Sequence, residues 1–225
     1  MLICNFRLVC NPRHSALESC SQALLARLPI GGPRPLASLI PKNCVLCCAL
    51  EIFPMETLFF DRTASPAGPL FLAASVKGLV RLEFEAHRMN LNPKKFELRE
   101  SKQALAPYLG ELNEYFDGKR REFSIPLDLR GTPFQLACWQ ALIDIPYGET
   151  CSYADIARAI RHPNAFRAVG MANNRNPIAI IVPCHRVIAS GGSLCGYGGG
   201  LDIKRKLLDL EEANAGVRLP LKASA

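Results

Sequence analysis

The chain has 225 residues, enough for one large domain or two small ones, and its 27 basic and 20 acidic residues give a net charge of +7. That balance suits a partner that bears phosphates but does not specify one. There is no apolar run of 18 residues and no signal peptide, which argues against a membrane protein and against a secreted, disulfide-bonded one. We therefore expect a cytoplasmic protein with reduced cysteines.

Residues 1–54 differ in composition from the rest of the chain. They hold six of the ten cysteines and six prolines, without a sustained helical or alternating pattern. We expect an upstream extension or a disordered tail; a targeting peptide is the alternative, because five basic residues stand against two acidic ones. Cys44, Cys47 and Cys48 have no second ligand pair at zinc spacing, so we expect no metal.

Residues 55–130 are expected to form the first folded domain. Short apolar runs at 58–62, 70–75 and 79–85 are separated by Gly and Pro, which is the pattern of an antiparallel meander. Residues 122–129 could add one more strand. The domain holds no cluster of catalytic side chains.

One helix is predicted within this domain, over residues 101–117, where leucines recur at helical spacing. Pro107 is expected in its first turn, where a missing N–H does no harm. Gly118 is expected to end the helix.

Residues 131–225 are expected to form a second domain, after a linker at 128–133. An apolar-faced helix is predicted over 134–143, with Trp139 as a core anchor. A helix over 153–160 and another that begins after Asn164 then predict a helix-turn-helix. Serine and asparagine are favoured helix caps, so Ser152 and Asn164 are expected to cap these two helices.

A possible nucleophile follows a short apolar run at 178–182. Pro183 ends the run, and Cys184 and His185 come directly after it. We expect a buried strand that delivers a thiol into a pocket, where an adjacent imidazole could promote formation of the reactive thiolate. Taken alone, the pair also fits a buried structural cysteine, because free cysteine is among the most buried residue types.

The motifs around Cys184 resemble those of one protein family. PCHRV, preceded by Asn176 and followed by GYGGGL, is similar to the active-site signature of the O6-alkylguanine-DNA alkyltransferases, or methylated-DNA–protein-cysteine methyltransferases. The segments GTPFQLACW, IPYGETCSYADIA, FRAVGMANNRNP and LDIKRKLLDLE also resemble family segments in the same order. The similarity spans roughly residues 57–212.

This resemblance implies an α+β fold with two parts. A small N-terminal ribonuclease-H-like α/β domain with an antiparallel sheet would precede a C-terminal winged-helix-like helix-turn-helix domain that carries the reactive cysteine. It also implies DNA repair by direct, stoichiometric and irreversible transfer of an alkyl group from O6-alkylguanine in double-stranded DNA to Cys184, after the nucleotide is flipped out from the minor-groove side. Activity on O4-alkylthymine stays open. No cofactor is implied, and we expect a monomer.

The family pattern implies roles for five catalytic candidates. Cys184 would accept the alkyl group, and His185 would act as its base through a water molecule. Glu211 would orient and stabilise the imidazolium. Tyr153 would protonate the departing guanine, and Asn176 would fix the loop that carries the cysteine.

The remaining candidates would bind the base or the DNA. The substrate-binding set is Val187, Tyr197, Gly198, Gly199 and Lys204. The DNA-binding set is Arg167, Ala168, Gly170 and Asn173. Arg167 would fill the gap that the flipped base leaves in the stack.

Three residues depart from the family pattern. Phe166 stands where a small residue is usual, and would pack inward or obstruct the groove contact. Cys195 replaces a more typical threonine. Gly198 replaces Ala or Ser, so we expect an enlarged pocket that tolerates ethyl or larger alkyl groups.

Rival functions make different demands on the sequence. A non-catalytic lesion-binding module of the alkyltransferase-like class has tryptophan at the reactive position, which Cys184 argues against. A cysteine hydrolase would turn over and would not need the helix-turn-helix. A methyl-sensing transcriptional regulator would need a further DNA-binding domain with a cysteine zinc site, for which residues 1–54 are too short.

Overall fold

The computed structural model describes residues 55–87, 91–92 and 94–221. The predicted tail and its cysteine group lie outside these residues. The described residues all belong to one compact unit, and the predicted domain boundary near residue 130 stays a prediction.

A four-stranded sheet forms the N-terminal part of the fold. Its strands are β1 (Glu56–Thr63), β2 (Leu70–Ala74), β3 (Leu79–Phe84) and β4 (Phe96–Glu100), in the order β3-β2-β1-β4. The first three pair antiparallel, which confirms the predicted meander. The fourth was not predicted, and it pairs parallel with β1. The strand predicted at 122–129 is wrong, because only an isolated bridge between Leu127 and Leu79 forms there.

Helix α1 (Lys102–Phe116) packs its buried face on this sheet. The Ser101 hydroxyl caps it by accepting the Ala104 N–H at 3.2 Å. Because the helix begins directly after this cap, Pro107 lies beyond the first turn, and its predicted position is wrong. Gly118 takes a left-handed φ of 72° after the helix, as predicted for a C-terminal stop.

Within the described residues, the C-terminal part contains four α-helices and a small parallel strand pair. The elements are α2 (Pro133–Ile143), α3 (Tyr153–Ala159), α4 (Phe166–Asn174), α5 (Leu201–Ala215), β5 (Cys151–Ser152) and β6 (Val187–Ile188). Helices α2, α3 and α4 pack together, which confirms the predicted helix-turn-helix. Trp139 anchors this packing, since its Nε1 donates to the Ala172 carbonyl at 3.0 Å.

The two predicted caps have different outcomes. Ser152 forms a reciprocal capping box with Asp155 at the start of α3, as the serine predicted. The Asn164 cap is wrong: Ala165 occupies the cap position of α4 and offers no side-chain acceptor.

The sheet of the N-terminal part and the helices of the C-terminal part confirm the predicted α+β fold class.

The predicted strand at 178–182 is instead a buried turn. Ile178 makes one bridge to Leu82, and the chain then folds back through a hydrogen bond from the Val182 N–H to the Ile178 carbonyl at 3.0 Å. Ile180 has a φ of 71°, which is unusual for a β-branched residue. An apolar run indicates that a segment is buried, but it cannot distinguish a short strand from a buried turn.

One hydrophobic core runs from the sheet to the loop that carries Cys184. It holds the reactive loop against both parts of the fold. Across the residues described, no helix is both long and apolar enough to cross a membrane.

Candidate active site

Cys184 opens a short 3₁₀ turn, Cys184–Arg186, and is only 5% exposed. The Asn176 amide donates to its sulfur at 3.0 Å and to the Val182 carbonyl at 2.7 Å. The Asn176 carbonyl oxygen accepts the Ile178 N–H at 3.0 Å. Asn176 therefore closes the buried turn and orients the sulfur with the same side chain.

Burial raises the pKa of the Cys184 thiol, and the Asn176 hydrogen bond and the Lys204 charge only partly oppose that shift. The resting side chain is a neutral thiol. Its conversion to the nucleophilic thiolate requires a base that can receive the proton.

His185 and Glu211 form a fully buried pair, with His185 Nε2 at 2.8 Å from Glu211 Oε1. Burial by itself would raise the pKa of Glu211, but the neighbouring His185 and Arg186 outweigh it and hold that pKa well below its ordinary value. A carboxylate can only accept, so we assign the ring proton to Nε2. Nδ1 then carries the lone pair, and it has no hydrogen-bond partner among the residues that the structure describes.

The imidazole is neutral in this environment. Burial lowers the pKa of His185, although Glu211 acts in the opposite direction. A neutral imidazole with an unpaired Nδ1 is able to accept a proton.

Glu211 has further donors that the sequence analysis did not identify. Arg186 donates through Nε to Oε2 at 2.9 Å and through Nη2 to Oε1 at 3.0 Å. The Tyr115 hydroxyl donates to Oε1 at 2.8 Å, and the Gly148 N–H donates to Oε2 at 3.2 Å. Arg186 could have been suspected from its place beside the Cys-His pair. Tyr115 gave no such signal, because it lies 96 positions before Glu211.

Lys204 is also fully buried, and it connects two loops of the site. Its Nζ donates to the Val187 carbonyl at 2.6 Å and to the Cys195 carbonyl at 2.9 Å. Val187, predicted to bind the base, therefore already accepts one hydrogen bond at its carbonyl oxygen. The Tyr153 hydroxyl donates to the same Cys195 carbonyl at 3.2 Å, and burial raises the pKa of Tyr153. Tyr153 is thus a neutral hydrogen-bond donor beside the glycine-rich segment GYGGGL.

A cavity of about 120 Å³ lies over Cys184. Its wall comprises Glu83, Phe84, Asn173, Asn174, Asn176, Ala179, Cys184, Tyr197, Gly198 and Gly199. Three of the predicted substrate-binding residues are in this wall, whereas Val187 and Lys204 are buried outside it. Phe84 was not identified from the sequence, because it comes from β3 of the N-terminal sheet.

Asn173 was predicted to contact DNA, but the structure places it in the cavity wall. It is 6% exposed, and its amide donates to the Cys184 carbonyl at 3.3 Å. Its contact with DNA stays a prediction.

The other predicted DNA-binding residues lie together on α4. Arg167 and Ala168 are exposed, and Gly170 is half-buried. Phe166 is 47% exposed and does not pack inward; the Arg167 guanidinium lies 5.7 Å from the centre of its ring. The aromatic ring and the cation form one outward-facing pair at the start of the helix.

The comparisons with known proteins agree over residues 58–129 and 133–213. Residues 58–129 match the family model of the 6-O-methylguanine DNA methyltransferase ribonuclease-like domain, and residues 133–213 match that of its DNA-binding domain. A protein of Methanosarcina barkeri named methylated-DNA–protein-cysteine methyltransferase is 48% identical over 161 residues, which cover 70% of this chain and 99% of the relative. The chain belongs to the methylated-DNA–protein-cysteine methyltransferase family.

Solved structures of this methyltransferase family have the same fold. The Mycobacterium tuberculosis O6-methylguanine methyltransferase has a TM-score of 0.64 at 47% identity, covering 70% of this chain and 94% of that one. A structure of OGT from the same organism in complex with DNA has a TM-score of 0.62 at 46% identity, covering 69% of this chain and 94% of that one. The resemblance predicted from the motifs is confirmed.

Proposed function

We propose that this protein repairs DNA by transferring an alkyl group from O6-alkylguanine to the sulfur of Cys184. The observation that carries the proposal is the connected set Asn176, Cys184, His185 and Glu211 beneath a cavity, beside a helix-turn-helix. Asn176 orients the sulfur, and the neutral His185 is held by a carboxylate on its far side. Membership of the methyltransferase family supports the same reaction.

The reaction is an in-line displacement at the alkyl carbon. The thiol proton passes through a water molecule to His185 Nδ1, and the thiolate forms an S–C bond as the C–O6 bond breaks. The electron pair of the broken bond stays on the guanine, which takes a proton from the Tyr153 hydroxyl. Glu211 stabilises the imidazolium that results. The thioether has no hydrolysable bond, so each molecule reacts once.

Access to the alkyl carbon requires the nucleotide to leave the stack. The exposed Arg167 on α4 fills the gap, and the small Ala168 and Gly170 let the helix approach the sugar-phosphate backbone from the minor groove. We further propose that the protein acts as a monomer and without a cofactor.

The test is transfer from a duplex that carries one labelled O6-alkylguanine. Mass spectrometry should find the label on Cys184, at one equivalent per protein molecule. Cys184→Ala should abolish transfer, and Cys151→Ala, which changes another cysteine of the same domain, should not. A Cys184→Ala protein that still removes the label, or wild-type protein that removes many equivalents, would contradict the proposal and favour a hydrolase.

A further inference from the structure

The Tyr115 hydroxyl and His185 Nε2 donate to the same oxygen of Glu211. Each lies 2.8 Å from Oε1. Tyr115 belongs to the last turn of α1, in the N-terminal part of the fold, whereas Glu211 belongs to α5. A residue of the N-terminal part thus touches the carboxylate that holds the candidate base.

Tyr115 is fixed in this position by its surroundings. Its ring is fully buried, and the ring centres of Phe116, Phe123 and Tyr147 lie 5.3, 5.6 and 5.9 Å from its own. Burial raises the pKa of Tyr115, and the Glu211 charge and hydrogen bond raise it further. The hydroxyl therefore stays neutral and can only be a donor to the carboxylate.

We propose that Tyr115 is a positioning residue for alkyl transfer, because its hydroxyl shares the Glu211 oxygen that holds His185. Each hydrogen bond to Oε1 withdraws electron density from that oxygen and makes it a weaker partner for the imidazolium. Tyr115 therefore limits how strongly Glu211 favours the protonated ring, and it helps to keep His185 neutral. This inference rests on the proposed function.

The other charged groups around His185 would remain when the hydroxyl is removed. Arg186 would still donate to both Glu211 oxygens and keep the carboxylate ionised. Lys204 from α5 would still disfavour a second positive charge nearby, as would Arg186. Cys184 directly precedes His185 in the chain, and the Tyr147 ring centre lies 5.9 Å from that of Tyr115; both groups would also remain. Loss of the Tyr115 donor should consequently raise the pKa of His185.

The experiment is the single-turnover rate of alkyl transfer to Cys184 as a function of pH. His185 must be neutral to accept a proton, so the rate rises through its pKa. Tyr115→Phe should move this rise to higher pH by about half to one unit, because one hydrogen bond is lost. Tyr108→Phe, a buried tyrosine of the same helix, is the matched control and should leave the profile in place. Coincident profiles for Tyr115→Phe and wild type would overturn the proposal.

A second variant separates hydrogen bonding from packing. A fluorinated tyrosine at position 115 keeps the ring and the hydroxyl but is a stronger donor, so it should move the rise to lower pH. Shifts in the same direction for the two variants would mean that packing is the cause, and the inference would fail. Transfer by the wild-type protein tests the proposed function separately, since it does not depend on how Tyr115 acts.

Discussion

The Asn176 amide lies 3.0 Å from the Cys184 sulfur and donates to it from within the turn that the same side chain closes. One asparagine therefore links the shape of the reactive loop to the reactivity of its thiol. A donor on the sulfur favours the thiolate, which burial alone would disfavour.

Replacement of this asparagine should slow the reaction and weaken the fold. Asn176→Ala loses three buried hydrogen bonds, so we expect about 2–3 kcal/mol of destabilisation and a roughly 10- to 100-fold lower rate of transfer near pH 7. Urea unfolding and single-turnover kinetics measure the two effects. Asn113→Ala, at an exposed position of α1, should change neither. A variant with full activity would exclude the contact with the sulfur from the mechanism.

The width of the cavity should depend on Gly198. A Cβ at this position would meet the Asn174 carbonyl at 3.6 Å, an ordinary contact, so Gly198→Ser should fold normally. We expect transfer of a benzyl group to fall by roughly tenfold or more and transfer of a methyl group to be little changed. Gly199→Ala is the contrasting variant, since its Cβ would lie 2.7 Å from the Tyr197 ring. It should perturb the transfer of both methyl and benzyl groups. If Gly198→Ser transferred benzyl groups as fast as wild type, Gly198 would not determine the width of the cavity.

Replacement of Arg167 should slow alkyl transfer from duplex DNA but not from the free alkylated base. Arg167→Ala loses the side chain proposed to fill the stack, so transfer from a duplex should fall roughly 10- to 100-fold, given that unstacking costs a few kcal/mol. Transfer from the free alkylated base should be unchanged, because no nucleotide has to be flipped. Arg99→Ala, at an exposed site on β4, is the charge-matched control. Equal losses on both substrates would assign Arg167 to the pocket or to the fold instead.

The buried Glu211 should make stability depend on pH. The pKa of Glu211 in the folded protein lies below the ordinary value of 4.5. The stabilisation that its charge gives the fold is therefore complete above pH 4.5 and is lost as the pH falls below it. Glu211→Gln should be about 3–5 kcal/mol less stable at pH 7, because Arg186 loses its buried partner. The stability gap, meaning the difference in free energy of unfolding between wild type and Glu211→Gln, should narrow below about pH 4.5.

Unfolding in urea from pH 7 to pH 3 measures this gap. Glu212→Gln, at the adjacent and less buried position, should follow the wild type. A gap that stays constant below pH 4.5 would mean that the Glu211 charge does not stabilise the fold.

The sequence by itself determined the family, the three antiparallel strands, the helix-turn-helix and the positions of Cys184, His185 and Asn176. These features depend on residues close together in the chain: a capping serine, short apolar runs separated by Gly and Pro, and the PCHRV motif. Such signals are read within a few residues, and neighbours in sequence remain neighbours in space.

Only the tertiary structure decided which distant residues complete the site. It buried Glu211 and Lys204 on a helix whose composition favours an exposed face, and it brought Tyr115 onto Glu211 across 96 positions. It also turned the apolar run at 178–182 into a buried turn and placed Asn173 in the cavity wall. A charged side chain can be buried only where partners from other elements compensate for the loss of water, and those partners are set by packing and not by local sequence.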